Sequence, residues 1–321
     1  MIFLENQDYQ CFQNVYICAL NYKLKRMKRI VWLLLAVISL GVVGCATTGG
    51  VSTPKETAEM VFNNGDYAKA LKMVEAEINR YEDADQKVPV NLYALAGNAA
   101  FALGDIQKAI VQYELAQYYK YVDELMYDNM LKHFVEIDNL SKEITALEAY
   151  TQNKPNGPKV EERNLQLLYK YVESKNWELG KNLWTKVSHL EEGNPKLTEA
   201  YLIINKELED KVTADQLAAK LLKIDAKNAT ALEWLAYKYY WKAENRYQAE
   251  MAAYEKKKTR TTYAKLIKAL DAVTVDFKRS LNYYQRLYKI APDKKHARLL
   301  GNIYARMNDK EKSQFWKARA K

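Results

Sequence analysis

Thiols, imidazoles and paired carboxylates are the side chains with which a protein binds metal, forms a covalent intermediate or moves a proton, and in this sequence they are sparse. The cysteines are Cys11, Cys18 and Cys45, so no thiol follows residue 45 in a chain of 321 residues. A disulfide framework or a cysteine zinc site is thereby excluded from everything beyond that point. His133, His189 and His296 stand apart from one another, with neither HExxH nor another paired spacing, and lone helical histidines are as a rule structural. The pairs Glu161-Glu162 and Glu191-Glu192 read as solvated carboxylates on helix surfaces, since acid–base chemistry also needs a pocket. There is no phosphate-binding glycine loop, nucleophile elbow, dinucleotide fingerprint or calcium loop. The expectation is a protein that is not an enzyme, with no cofactor and no metal.

One cysteine does sit in a context that implies chemistry. Met27-Lys28-Arg29 is followed by the apolar run Ile30 to Val43 and then by Gly44-Cys45. A basic start, a short apolar stretch and a small residue before the cut make a secretory signal, because 14 apolar residues are few for a membrane span. Val42-Val43-Gly44-Cys45 resembles the lipobox of bacterial lipoproteins. That resemblance implies that Cys45 is diacylated on sulfur, becomes the new N-terminus and is then N-acylated, giving a multi-chain anchor that holds stably in a bilayer. Ala46, where aspartate is absent, implies sorting to the outer membrane, and we expect the protein to face the periplasm. Met27 fits the first residue of the signal, so residues 1–26 read as a spurious extension, 27–44 as the signal and 45–53 as a tether.

The formal net charge is +9, from 49 basic and 40 acidic side chains. Removing residues 1–44 leaves 44 against 38, a mild excess of +6. The run Lys256-Lys257-Lys258-Thr259-Arg260 beside Tyr254 and Tyr263 has a composition that also suits nucleic acid. In an exported protein it reads instead as a helix end or loop near phospholipid headgroups or water, and no nucleic-acid partner is expected.

The elements that must carry any site are helices. Eleven glycines and six prolines punctuate 321 residues, too few for a strand-rich fold, and the long Ala/Leu/Lys/Glu/Tyr runs favour helix. Thr53-Pro54-Lys55-Glu56 reads as a capping box that starts the first of them. Four segments then share one spacing, an aromatic or isoleucine, a small residue three on and a large apolar residue four further. They are Tyr67/Ala70/Val74, Ile106/Ala109/Tyr113, Trp177/Gly180/Trp184 and Phe277/Ser280/Tyr284. Their first residues lie 39, 71 and 100 apart; as one, two and three steps these give 39, 35.5 and 33.3 residues per unit. Asn64-Gly65-Asp66 and Gly104-Asp105 end one helix and cap the next.

A helix-turn-helix unit of about 34 residues with small residues at the close approaches resembles the tetratricopeptide repeat. With the lipobox, the whole resembles the tetratricopeptide-repeat lipoproteins of Gram-negative bacteria. The resemblance implies an all-α superhelical solenoid of about eight antiparallel helix pairs. It divides into a lobe at 54–152, a linker at 153–159 with Pro155, Gly157 and Pro158, and a lobe at 160–321. Residues 122–158 depart from the signature but read as a helix pair, Asp123–Ile137 and Ser141–Tyr150. Arg246–Thr274 also lacks the signature, and Ala226 to Pro292 spans 66 residues, enough for two units of 33.

Such a fold acts through the surface formed by its first helices, where partner peptides lie in that family. The spacing from the small residues directs Tyr237, Tyr240 and Trp241 inward from one unit and Asn98 and Phe101 from another. Lys295, Arg298, Asn302 and Arg306 point to the same side from the last, Arg298 and Asn302 resembling the carboxylate-gripping pair of chaperone-tail-binding repeats. Aromatic clusters at helical spacing are more often core, and basic faces more often solvated. The expected function is a membrane-anchored envelope adaptor that binds a protein or peptide, as in outer-membrane complex assembly; the alternative is a surface lipoprotein that captures glycans on aromatic side chains.

Overall fold

The computed structural model describes residues 56–321, which form one compact unit; the lipobox, Cys45 and the tether lie outside the described residues. The described residues hold fourteen α-helices and no strand. In chain order they are α1 Ala58–Asn63, α2 Tyr67–Asp83, α3 Val90–Ala102, α4 Ile106–Tyr118, α5 Glu124–Glu136, α6 Leu140–Asn153 and α7 Val160–Glu173. They continue as α8 Trp177–Val187, α9 Pro195–Glu207, α10 Lys211–Ile224, α11 Ala229–Lys256, α12 Arg260–Ile290, α13 Lys294–Arg306 and α14 Lys310–Arg319. Consecutive helices pack as pairs, and first helices also touch the first helices of neighbouring pairs. The result is an all-α solenoid of the tetratricopeptide type.

Six of the seven pairs turn by the same device. The residue before each second helix donates its backbone N–H to the carbonyl five residues back, as in Asp66 to Val61, Asp105 to Ala100, Asn139 to Phe134, Asn176 to Tyr171, Asp210 to Asn205 and Asp309 to Tyr304, all at 2.8–3.2 Å. These bonds close the first helix in a Schellman motif. The side chain of the same residue then caps the second helix in five of the six, Asn176 being the exception. One Asp or Asn therefore ends one helix and starts the next. Each is preceded by a left-handed residue: Gly65 and Gly104, then Asp138, Lys175, Glu209 and Asn308 without glycine. The spacing signature saw only the two glycine turns, although the N-caps at 66, 105, 139, 176 and 210 recur every 34 to 39 residues.

Residues 122–158 thus make an ordinary pair, α5 and α6. Glu143 occupies the small-residue position of α6, nearly buried, with its carboxylate 2.9 Å from Lys170 of α7. Nor does the loop 153–159 interrupt the core, since one apolar cluster runs from Ala58 to Ile204 and includes Tyr150, Leu167, Leu168 and Tyr171. The loop is tied back onto α5 by Lys154 to Glu124 at 2.9 Å and Lys159 to Asp128 at 2.5 Å.

The first described helix is capped by Thr57, whose hydroxyl accepts from Met60 N; the helix start expected at Thr53-Pro54 lies outside the described residues. The described residues hold seven pairs. One expectation is corrected: residues 226–292 build one pair of doubled helices, 28 and 31 residues long, where two pairs of ordinary length were expected. No Schellman break falls near residue 243; the seam residues Ala236, Tyr240 and Ala243 continue into Tyr247 and Met251 at three- and four-residue steps. That periodicity lets α11 run on against α12 as an antiparallel coiled coil.

Candidate functional site

The face built by the first helices is the candidate site, and polar contacts join its members. Between α3 and α5, Asn98 Nδ2 donates to Asp123 Oδ1 at 3.0 Å. Tyr113 Oη donates to Asn98 Oδ1 at 2.9 Å and accepts from Asn129 Nδ2 at 2.9 Å. Burial pushes the Tyr113 phenol well above its ordinary pKa. Between α5 and α7, Asp128 takes both Lys159 and the nearly buried Arg163. Lys196 of α9 sits 4.3 Å from the Tyr169 ring centroid of α7. Glu199 accepts from Asn228 at 3.0 Å and Thr230 at 2.5 Å, at the start of α11.

Two ion pairs tie α11 to α13: Glu233 to Lys295 at 3.2 Å and Glu244 to Arg306 at 2.5 Å. Burial works against ionisation of Glu233, yet Lys295, with His296 beside it, holds the carboxyl below its ordinary value. Arg306 does the same to Glu244 and is itself shifted upward by that hydrogen bond. Arg306 also lies 4.2 Å from the Tyr247 ring centroid.

These pairs set a register. Eleven residues separate Glu233 from Glu244, and eleven separate Lys295 from Arg306, so the two helices run parallel at equal rise. Tyr237 and Trp241 on α11 consequently lie level with Arg298 and Asn302 on α13. Tyr237 is 49% exposed and Trp241 42% exposed, their rings 6.1 Å apart and edge to face. Arg298 is exposed and Asn302 half-buried. Four of the seven residues expected from the sequence therefore form one patch on two helices.

The other three do not join it. Tyr240 is only 7% exposed and packs edge-on against Phe277 of α12 at 6.0 Å, so it is a core residue and the inward assignment fails. At 3.6 residues per turn Tyr240 stands about 60° round the helix from Tyr237 and about 100° from Trp241, enough to put it on the α12 side. Asn98 is buried in the Tyr113 network and holds helices together. Phe101 is half-buried with Lys132 of α5 5.9 Å from its ring centroid, in a different pair from the patch. Lys295 and Arg306 are likewise spent on ion pairs. What sequence reasoning missed is Glu233 and Glu244, whose matching eleven-residue separations are the only sequence signal of that register.

Among the described residues no group of three or more acidic, histidine or cysteine side chains could hold a metal ion, and no helix is long and apolar enough to cross a membrane. The arrangement offers aromatic surface, one unpaired guanidinium and an amide, which is equipment for recognition.

The class defined by this fold is an all-α helical-repeat protein of the tetratricopeptide type. No family model matches the chain, and no curated protein matches it. Solved structures of similar architecture include one from Bacteroides ovatus, at 17% identity and TM-score 0.48, over 70% of this chain and 100% of that one. Others are a tetratricopeptide repeat protein from Parabacteroides merdae, at 13% and 0.35 over 82% and 89%, and the C-terminal part of one from Cytophaga hutchinsonii, at 17% and 0.32 over 81% and 97%.

Proposed function

We propose that this protein is a membrane-anchored adaptor of the cell envelope, tethered through acylated Cys45, that captures a protein segment on the face made by its first helices. The observation that carries the reading is the exposed pair Tyr237 and Trp241, set level with the unpaired Arg298. Aromatic side chains and arginine dominate the energetics of protein interfaces, and water-exposed rings of this size have little reason to cluster on a scaffold alone. The partner chemistry that fits is a peptide offering an apolar side chain to the rings and a carboxylate to Arg298 and Asn302. The resemblance of Val42-Val43-Gly44-Cys45 to a lipobox, followed by Ala46, supports an outer-membrane location facing the periplasm, and the first-helix face supports a part in complex assembly.

Gentle cross-linking of envelopes and recovery of the protein tests the proposal. A stoichiometric protein partner is expected with the native chain, and its loss with Tyr237→Ala/Trp241→Ala. Recovery of the protein alone, or equal capture by the double variant, refutes it. Retention on an oligosaccharide that the double variant loses, with no protein recovered, assigns the rings to glycan capture instead. Protease shaving of intact cells reads the orientation, because a periplasm-facing protein is spared.

A further inference from the structure

The pair α11–α12 is doubled in length, and its outer half is accounted for by nothing in the binding face. The first helices α3, α5, α7, α9 and α13 have 13 or 14 residues, against 28 in α11. At about 1.5 Å per residue, the excess carries the hairpin roughly 20 Å past the rest of the stack. From Glu244 to Lys265 no side chain is buried, and beyond Glu244 and Tyr247, which Arg306 of α13 meets, the arm packs on itself.

Its end is strongly basic. Residues 251–268 hold Lys256, Lys257, Lys258, Arg260, Lys265 and Lys268 against the single acidic Glu255. Only Lys258 has an acidic partner, Glu255 at 2.6 Å. Among these charges stand Tyr263 and Ile267, 52% and 45% exposed and one turn apart on α12, with the Tyr254 ring centroid 5.8 Å from that of Tyr263. Mutual repulsion of five unpaired cations and hydration of two large apolar side chains both oppose this arrangement in water.

We infer that the tip of the α11–α12 hairpin docks on an anionic phospholipid surface. The tip is convex and two helices wide, so it offers a peptide no groove to bury in. A flat anionic surface attracts these cations together and accepts Tyr263 and Ile267 at the headgroup boundary, while the lysine stems reach out to phosphate. This contact is independent of the Tyr237/Trp241 face and adds a second attachment to the one proposed at Cys45, fixing the distance at which the stack is held from the bilayer.

Hydrogen–deuterium exchange on the full chain, reconstituted in vesicles, separates the tip from whatever else holds the chain to lipid. In vesicles of phosphatidylcholine with phosphatidylglycerol, the amides of 252–268 should exchange severalfold more slowly than in phosphatidylcholine alone. Raising salt to about 0.5 M should erase the difference. Lys256→Glu/Lys257→Glu/Arg260→Glu, lying on the part of the arm that no other pair packs against, should melt like the native chain and show no protection. Equal exchange in the two lipids overturns the inference, as does protection that survives in the glutamate variant. Protection by soluble polyglutamate or RNA but by neither vesicle also overturns it, and assigns the tip to an acidic polymer.

Discussion

Gly97 and Gly180 both sit where helices approach closely, yet the same substitution should move stability in opposite directions. A Cβ added at Gly97 would lie 2.4 Å from Tyr113 Cε1 and 3.2 Å from the carbonyl of Ala109. The Tyr113 ring is fully buried and pinned through its hydroxyl to Asn98 and Asn129, so it cannot yield without breaking that network. Overpacking of this kind costs about 1–3 kcal/mol, and loss of a buried hydrogen bond about 1 kcal/mol more. Replacing glycine by alanine inside a helix returns about 1 kcal/mol. Gly97→Ala should therefore destabilise by about 1–3 kcal/mol. At Gly180 the nearest atom is Ile204 Cδ1, at 2.8 Å, the free end of a side chain on α9, with Tyr171 Cβ of its own pair at 3.8 Å. Rotation of that isoleucine relieves the clash, so Gly180→Ala should be neutral or up to about 1 kcal/mol more stable; Gly180→Leu, by contrast, must part α8 from α9. Thermal and urea unfolding measure both. For a unit of this size 1 kcal/mol corresponds to roughly 2–4 °C. A Gly97→Ala protein melting at or above the parent would refute the claim that Tyr113 is immobile.

Tyr240→Ala should cost about 3–5 kcal/mol, as core truncations of aromatics do, whereas Tyr237→Ala and Trp241→Ala should melt within about 0.5 kcal/mol of the native chain; parallel melts distinguish them. Glu244, with its pKa held down by Arg306, contributes stability that is fully present above its ordinary value of 4.5 and is lost as pH falls through the lower folded value,. Acidification from pH 5 to 3 should accordingly lower the amide protection factors of α13 and α14, taken against the intrinsic exchange rate at each pH, and Glu244→Gln should show low protection there already at pH 5. Exchange in Glu244→Gln equal to native at pH 5 would mean that the pair does not hold the last helices. Cys45→Ala should abolish metabolic labelling with palmitate and leave a larger, unprocessed chain, and a lipid-free mature N-terminus upstream of Cys45 would sink the anchor.

Much of this molecule is local and hence legible in the sequence. Helix class, the buried triads such as Ile106/Ala109/Tyr113, and the turns at Gly65-Asp66 and Gly104-Asp105 all follow from contacts within a few residues. The left-handed turns at Asp138, Lys175, Glu209 and Asn308 escaped notice because the same local Schellman bonds close there without the glycine that announces them,. Two facts belonged to the tertiary structure alone. A pair count of seven came from α11 and α12 running on past the point where an ordinary unit would break. Nothing local forbids a break there, and only the partner helix, supplying apolar contacts at seam spacing, makes continuation the lower free energy. The patch of Tyr237, Trp241, Arg298 and Asn302, and the removal of Tyr240 from it, depended on the rotation of α11 and on its register with α13. Sequence periodicity determines which residues share a helix face; the direction that face takes is decided by the helices packed around it, here through Phe277, Arg306 and Lys295.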